Sequence, residues 1–310
     1  MRHHAGIILP RILSFHAGYR CRNSGACCSA GWVDPRADGV CRHFDAHPSG
    51  GCTIQRAGGH AAIPRACQQF PRVVTQSPLG TSVTLSAFCP TAASLLFDEG
   101  PFHITALADD RPLEGLDARH VLPPLLRPGM LMDWEAVAAW EQLAVGTLSD
   151  HRDDVDRALD VIEIASERVC AAWTPGGESL ATTLASAFTE AAGISAAPRG
   201  TLGGAFARAL TESGMSPASP GHGRAKERSR LRSFNGAADD MPDSRARSEP
   251  LARFLAAHAF ACWPMYEGRG IRGALDWLVK VQTALDEERR SCADLKEAFR
   301  RADLALRHGV

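Results

Sequence analysis

The chain has 310 residues, enough for two domains and a sizeable core, so its stability does not require disulfides. Its formal net charge of -1 gives no general attraction to nucleic acid or to a membrane surface, and we expect neither as a partner. Seven of the ten cysteines lie between Cys21 and Cys89, and this concentration of thiols predicts either a disulfide framework or a metal site.

The N-terminal residues show no targeting signal. The apolar run from Ile7 to Leu9 ends at Pro10, which is too short for the centre of a signal peptide. No run approaches the roughly 18 apolar residues of a membrane-spanning helix. We therefore expect a cytoplasmic protein, in which thiols stay reduced and clustered cysteines more often bind metal.

The first half of the cysteine-rich segment predicts a hairpin. Val40–Phe44 and Cys52–Gln55 have the pattern of extended pieces, and the turn-forming residues 47–51 separate them. Pairing of these pieces is expected to bring Cys41 close to Cys52.

The second half predicts a short helix, another hairpin and a helix start. Pro64 begins a helical turn that carries Cys67. Val73–Thr75 and Val83–Leu85 flank a Ser-Pro-Leu-Gly turn and form the second predicted hairpin. Cys89 precedes Pro90, which places its thiol at the N-cap of a helix, where the amide dipoles favour a thiolate.

Beyond residue 100 the pattern predicts helices. Asp133 is a candidate N-cap, and apolar residues at helical spacing follow it and recur from Val155 to Val169. Residues 213–250 are rich in Ser, Pro, Gly and charge, and we interpret them as a flexible linker that is dispensable for metal binding.

Three helices are predicted after this linker. The first begins at Pro250, the second covers Ile271–Glu288, and the third covers Ser291–Arg307 with Ser291 as its cap. His258 is interpreted as a core or helix-face histidine. The isolated Cys170, Cys262 and Cys292 are interpreted as small buried apolar residues.

The predicted fold class is mainly α, with a small irregular cysteine-rich metal-binding domain carrying short β-hairpins, followed by a helical domain. We divide the chain into a cysteine-cluster domain (1–100), a helical region (101–212), the linker (213–250) and a C-terminal helical region (251–310).

Thiolates are the ligands that zinc and iron–sulfur clusters take from cysteine, and four satisfy either one. The segment has seven cysteines, which is more than one metal centre needs. Two separate zinc sites with four thiolates each would need eight. Histidines among these cysteines, His43, His47 and His60, are interpreted as exposed loop residues. The predicted metal ligands are Cys21, Cys27, Cys28, Cys41, Cys52, Cys67 and Cys89.

The order of these elements resembles the zinc- or iron-chelating cysteine-cluster family over about residues 19–97. Four features carry the resemblance: the double cysteine, a Gly-Trp pair after it, a Cys-Gln-Gln-Phe-Pro-Arg element, and a late Cys-Pro. They are Cys27–Cys28, Gly31–Trp32, Cys67–Arg72 and Cys89–Pro90. Among its members the chain looks most like the flagellin lysine N-methylases. It departs from the family at Ser24, where a second cysteine is usual and where serine is a poor ligand for soft metals.

The resemblance implies an S-adenosylmethionine-dependent enzyme that methylates lysine side chains of flagellin or another protein. No glycine-rich turn between a strand and a helix is present, so a methyl donor would not bind in the Rossmann manner. The alternatives are a non-catalytic metal-binding or electron-carrying module, or a structural zinc protein.

Overall fold

The computed structural model describes residues 9–22, 25, 28, 34–38, 40–45, 51–108, 113–195 and 244–307. Helices predominate in this part of the chain, which confirms the mainly-α prediction. None of the helices in the described ranges is long and apolar enough to cross a membrane.

The N-terminal third contains short strands and short helices. Its strands are β1 (Arg11–Leu13), β2 (Phe44–Asp45), β3 (Gly51–Cys52), β4 (Arg72–Ser77) and β5 (Gly80–Leu85). Its helices are α1 (Ser14–Ala17), α2 (Thr53–Gly58), a 3₁₀ turn (His60–Ala62), α3 (Arg65–Gln69) and α4 (Pro90–Leu95).

Short strands continue past residue 100 before the long helices begin. The strands are β6 (Ile104–Ala106), β7 (Leu116–Asp117), β8 (Leu125–Arg127) and β9 (Met130–Leu131). The helices are α5 (Trp134–Asp150), α6 (Val155–Ala172), α7 (Leu180–Ser195), α8 (Ser244–Ala259), a 3₁₀ turn (Trp263–Tyr266), α9 (Ile271–Ser291) and α10 (Leu295–Arg307).

A five-stranded mixed sheet has the order β6-β1-β5-β4-β7. The predicted hairpin of β4 and β5 is confirmed, with Val74 opposite Val83. The outer strands β6 and β7 lie beyond residue 100, so the sheet crosses the predicted domain boundary. Strands, rather than helix, therefore occupy the first part of the region 101–212, and its helices start at Trp134.

One large hydrophobic core joins the sheet to the helices. It includes Leu13, Phe15 and Ala87 from the N-terminal third together with Trp140 and Phe299 from the long helices. The other face of β1 contributes Ile12 to a smaller cluster with Val74 and Val83. Because the N-terminal strands complete the core of the helices, residues 1–100 do not form a separate hydrophobic unit.

Several helix ends were predicted correctly. Asp133 caps α5 by accepting a hydrogen bond from Ala136 N at 2.7 Å, and α6 buries the stripe from Val155 to Val169. Cys89 is the N-cap of α4 with Pro90 in the first turn, and α3 follows Pro64.

Other helix limits differ from the sequence prediction. Helix α8 begins at Ser244 and includes Pro250, so the predicted start at Pro250 is wrong. The remainder of the predicted linker, 213–243, lies outside the described residues. Ser291 ends α9 instead of capping α10, because its hydroxyl donates to Glu288 O while Asp294 accepts from Lys296 N.

Candidate functional site

The structure describes six of the seven predicted metal ligands; Cys27 lies outside the described residues, as does His47. Cys28, Cys41 and Cys89 are buried, Cys52 and Cys67 are half-buried, and Cys21 is exposed. The described cysteines are thiols, so no disulfide framework is present among them.

Cys21 and Cys89 both lie near the hydroxyl of Tyr19. The Tyr19 oxygen lies 3.6 Å from Cys89 Sγ, and the Cys21 thiol is close enough to raise the pKa of the phenol. Burial raises the pKa of Tyr19, and the two neighbouring thiols raise it further, so the phenol stays protonated. Sequence reasoning assigned no role to Tyr19, yet this residue connects the first and last cysteines of the segment.

Cys28 and Cys41 form a second pair through the backbone. Cys41 N donates to Cys28 O at 2.9 Å, and Cys41 also bridges to Pro35. Both side chains are buried, at 5% and 6% exposure. Neither belongs to a hydrophobic cluster of the described residues.

The first predicted hairpin exists but has a different register. Strands β2 and β3 pair Cys52 with Phe44, and Phe44 N donates to Cys41 O at 3.0 Å. Cys52 therefore lies opposite Phe44, not opposite Cys41. The extended continuation that was predicted to Gln55 is wrong, because α2 begins at Thr53.

The chemistry of the donors fits a soft metal, since all seven are cysteines. Their described positions do not yet form a centre: within the described residues, no three His, Cys, Asp or Glu side chains lie close enough to hold an ion. His43 instead contacts Asp34, with Nε2 3.4 Å from Oδ2. Among the described residues the geometry therefore shows Cys28 hydrogen-bonded to Cys41 through the backbone and Cys89 in contact with Tyr19, while Cys27 lies outside them.

A cavity of about 900 Å³ lies between the sheet and the C-terminal helices, with Ser86 in its lining. Strands β4 and β5 supply Arg72 and Thr84, while α8, α9 and α10 supply His258, Trp277 and Arg307. Such a volume is in the range of small-molecule sites. The sequence prediction did not include this cavity.

A buried polar cluster forms one wall of the cavity. Asp303 accepts a hydrogen bond from Ser86 Oγ at 2.5 Å and another from Arg307 Nε at 2.8 Å. His258 Nε2 lies 3.5 Å from Asp303 Oδ1, within ion-pair range but without hydrogen-bond geometry. Asp303 is 1% exposed, so these contacts replace its hydration.

Electrostatics fix the charge states of this cluster. Burial would raise the pKa of Asp303, but Arg307, His258 and Ser86 outweigh it and hold that pKa below its usual range. Burial lowers the pKa of His258, and burial together with Arg307 lowers the pKa of His16 from 6.5 to about 3. An ionised Asp303–Arg307 pair therefore lies among neutral histidines at neutral pH.

The cavity and the Cys21–Cys89 pair are connected. Cys89 N donates to Ser86 O at 3.2 Å, so one turn carries both a cavity residue and a thiol. The Arg72 guanidinium lies over the Tyr19 ring at 5.8 Å. Ser86 and Arg72 therefore belong to the cavity lining and also contact the residues around Cys89 and Tyr19.

The sequence carries one indication of the buried polar cluster around Asp303. Asp303 and Arg307 are four residues apart, and Asp303 stands among Phe299, Ala302 and Leu306 on the apolar side of α10. An acidic residue on such a face needs a buried partner. That the partners include Ser86 and His258 depends on tertiary packing.

The isolated cysteines are largely as predicted. Cys170 and Cys262 are buried, and Cys170 Sγ donates to Leu126 O at 3.1 Å. Burial raises the pKa of Cys262. Cys292 is only half-buried, at the start of the turn before α10.

Comparison of this chain with protein-family models, with curated proteins and with solved structures found no match.

Proposed function

We propose that this protein binds a thiolate-ligated metal centre, either zinc or an iron–sulfur cluster, through cysteines of the segment from Cys21 to Cys89. The observation that carries the proposal is the placement of its thiols. Cys89 Sγ lies 3.6 Å from the Tyr19 hydroxyl, which the Cys21 thiol also neighbours, and Cys28 and Cys41 are buried and joined through the backbone. Thiolates brought together in this way are the ligands that zinc and iron–sulfur clusters take.

The thiolates would hold the metal, and the backbone around two of them is restricted by proline. Cys89 stands at the N-cap of α4 directly before Pro90. Cys67 lies in α3 between Pro64 and Pro71. We therefore expect these two residues to be essential ligands. Cys21, whose usual companion thiol is replaced by Ser24, should contribute less.

The test is the metal-to-protein ratio of full-length variants purified without oxygen, with a visible absorption spectrum to separate iron–sulfur from zinc. Cys67→Ser and Cys89→Ser should abolish stoichiometric metal, and Cys21→Ser should reduce it partially. Cys170→Ser, Cys262→Ser and Cys292→Ser are the matched controls and should keep full occupancy. Full occupancy in Cys89→Ser together with loss in Cys170→Ser would show that the wrong cysteines were assigned.

The activity that we propose is S-adenosylmethionine-dependent methylation of lysine side chains in flagellin or another protein. Its support is the resemblance of residues 19–97 to the flagellin lysine N-methylases. Calorimetric titration with S-adenosylmethionine, followed by transfer of a labelled methyl group to a lysine-containing protein, tests it. A metal-loaded protein that neither binds the donor nor transfers the label is a non-catalytic metal-binding or electron-carrying module.

A further inference from the structure

The cavity between the sheet and the C-terminal helices has a lining that the metal proposal does not use. Aromatic and apolar side chains, among them Phe260, Pro264 and Trp277, form much of its wall. Charged side chains, among them Arg307 and Lys280, also line the cavity. A pocket with apolar walls and a few convergent polar groups is the usual form of a small-molecule site.

Arg307 lines this cavity, and its guanidinium is held in position by a hydrogen bond to Asp303. Asp303 holds its Nε at 2.8 Å, and the side chain remains 18% exposed. Within the described ranges, Nε is the atom of Arg307 that donates a hydrogen bond, and none is found from Nη1 or Nη2. A guanidinium held at Nε with its outer nitrogens available suits two-point binding of a carboxylate or phosphate.

A second cation stands on the same side. Lys280 Nζ lies 5.5 Å from the centre of the Trp277 ring and, within the part of the chain that the structure describes, forms no ion pair. The acidic side chains of the lining are partly engaged, since Asp276 pairs with Arg269 and Glu114 with Arg65. Glu267 is the remaining acidic group of the lining. Arg72 and Arg269 also line the cavity, so four cationic side chains stand there against three carboxylates.

His258 adds a polar atom that lacks a good partner. The side chain is 3% exposed, and its Nε2 has no hydrogen-bond partner in the described structure. A buried polar nitrogen without such a partner costs stability. His258 also lines the cavity and contacts Trp277 edge-on, so a ligand oxygen beside Arg307 would be near it.

We propose that this cavity binds a small organic oxyanion, a carboxylate or phosphate attached to an apolar body. Arg307 is the principal anchor of the oxyanion, and Lys280 adds charge at the edge of the site. The apolar body lies against Trp277, Phe260 and Pro264. The proposal does not depend on the metal, because none of these five residues is a proposed metal ligand.

The experiment is calorimetric titration of the full-length protein with benzoate and with phenyl phosphate, using neutral benzamide as the uncharged control. At least one anion should bind with a dissociation constant below about 1 mM, and benzamide should bind at least about tenfold more weakly. Comparing the two anions decides between a carboxylate and a phosphate ligand. Repeating the titration after metal chelation should leave the affinity unchanged.

Variants identify the anchor. Arg307→Gln should weaken anion binding by about tenfold or more, and Lys280→Gln by about threefold to tenfold, because each removes one charged donor. Arg301→Gln is the matched control on the exposed side of the same helix and should bind like the unchanged protein. If Arg307→Gln fails to fold, the anion affinity of Lys280→Gln tests the proposal by itself.

Three results would overturn this inference: no binding of either anion up to about 10 mM, equal affinity for benzamide, or unchanged affinity in Lys280→Gln. Loss of metal content in the cysteine variants bears only on the proposed metal site, and loss of anion binding bears only on the cavity.

Discussion

The cysteine-rich residues 21–69 and the helical layer, α5 to α10, are held together in different ways. In the cysteine-rich residues the buried apolar side chains of the described positions are Cys28, Cys41 and Ile63. The helical layer instead buries large side chains such as Trp140 and Phe299 in one continuous core. Burial of apolar side chains therefore stabilises the packing of the helices. The described part of the cysteine-rich residues has few such side chains, so we expect a different interaction to stabilise it.

This contrast predicts a local response to metal removal, which is the largest effect that we expect. Structural zinc contributes about 10–16 kcal/mol of apparent binding free energy in small domains, and that free energy becomes folding free energy. A strong chelator under reducing conditions should make residues 21–69 of the full-length protein susceptible to protease. The helices should keep their circular dichroism.

Full-length protein is needed for this measurement because β6 pairs with β1 and the N-terminal strands share the helical core. Equal protease resistance before and after chelation would mean that metal is not structural in this segment.

On the helical side, truncation of the core should be the most damaging single change. Trp140 is fully buried, and its Nε1 donates to Ser166 Oγ at 3.0 Å. Trp140→Ala should lower the free energy of unfolding by about 3–5 kcal/mol in chemical denaturation. Trp134→Ala, at a half-buried site of the same helix, is the control; an equal loss there would contradict the contrast.

Acid should destabilise the shared core through two buried histidines, His16 in α1 and His258 in α8. The pKa of His16 is about 3 in the folded protein and 6.5 unfolded, so the unfolded chain binds more protons between these values. The contribution of His16 is fully present above pH 6.5 and is lost as the pH falls toward 3. His258, whose pKa is also lowered by burial, acts in the same direction.

The variant His16→Gln should therefore reduce the slope of unfolding free energy against pH by at most about 1.4 kcal/mol per pH unit in this range. Denaturant titrations between pH 6.5 and 4 measure it. His60→Gln, at an exposed position, should leave the slope unchanged. A slope that is the same in His16→Gln and in the unchanged protein would contradict the burial argument.

The smallest effect is expected at a helix cap. Asp133→Ala removes the acceptor of Ala136 N and should cost about 1 kcal/mol of unfolding free energy. Asp153→Ala, at an exposed position between α5 and α6, should change it by less than about 0.5 kcal/mol. Equal midpoints for the two variants would show that the cap contributes nothing measurable.

Features that depend on neighbouring residues were readable in the sequence. Cys89 before Pro90 marks a helix start, Asp133 marks another, and the Ser-Pro-Leu-Gly turn marks the β4–β5 hairpin. In each case the cause is local: a proline restricts φ, a short polar side chain caps a helix, or a glycine permits the positive φ of a turn.

Features that join distant residues were decided by the tertiary structure alone. The pattern did not reveal that β6 and β7 complete the sheet, that Tyr19 connects Cys21 to Cys89, or that Asp303 meets Ser86 and His258. These partners come from separate elements, and only the packing of α8 and α10 against the β5–α4 turn brings the last three together. The sequence thus determined the local elements and the concentration of thiols, while long-range burial decided the cavity, its charges and the pairing of the cysteines.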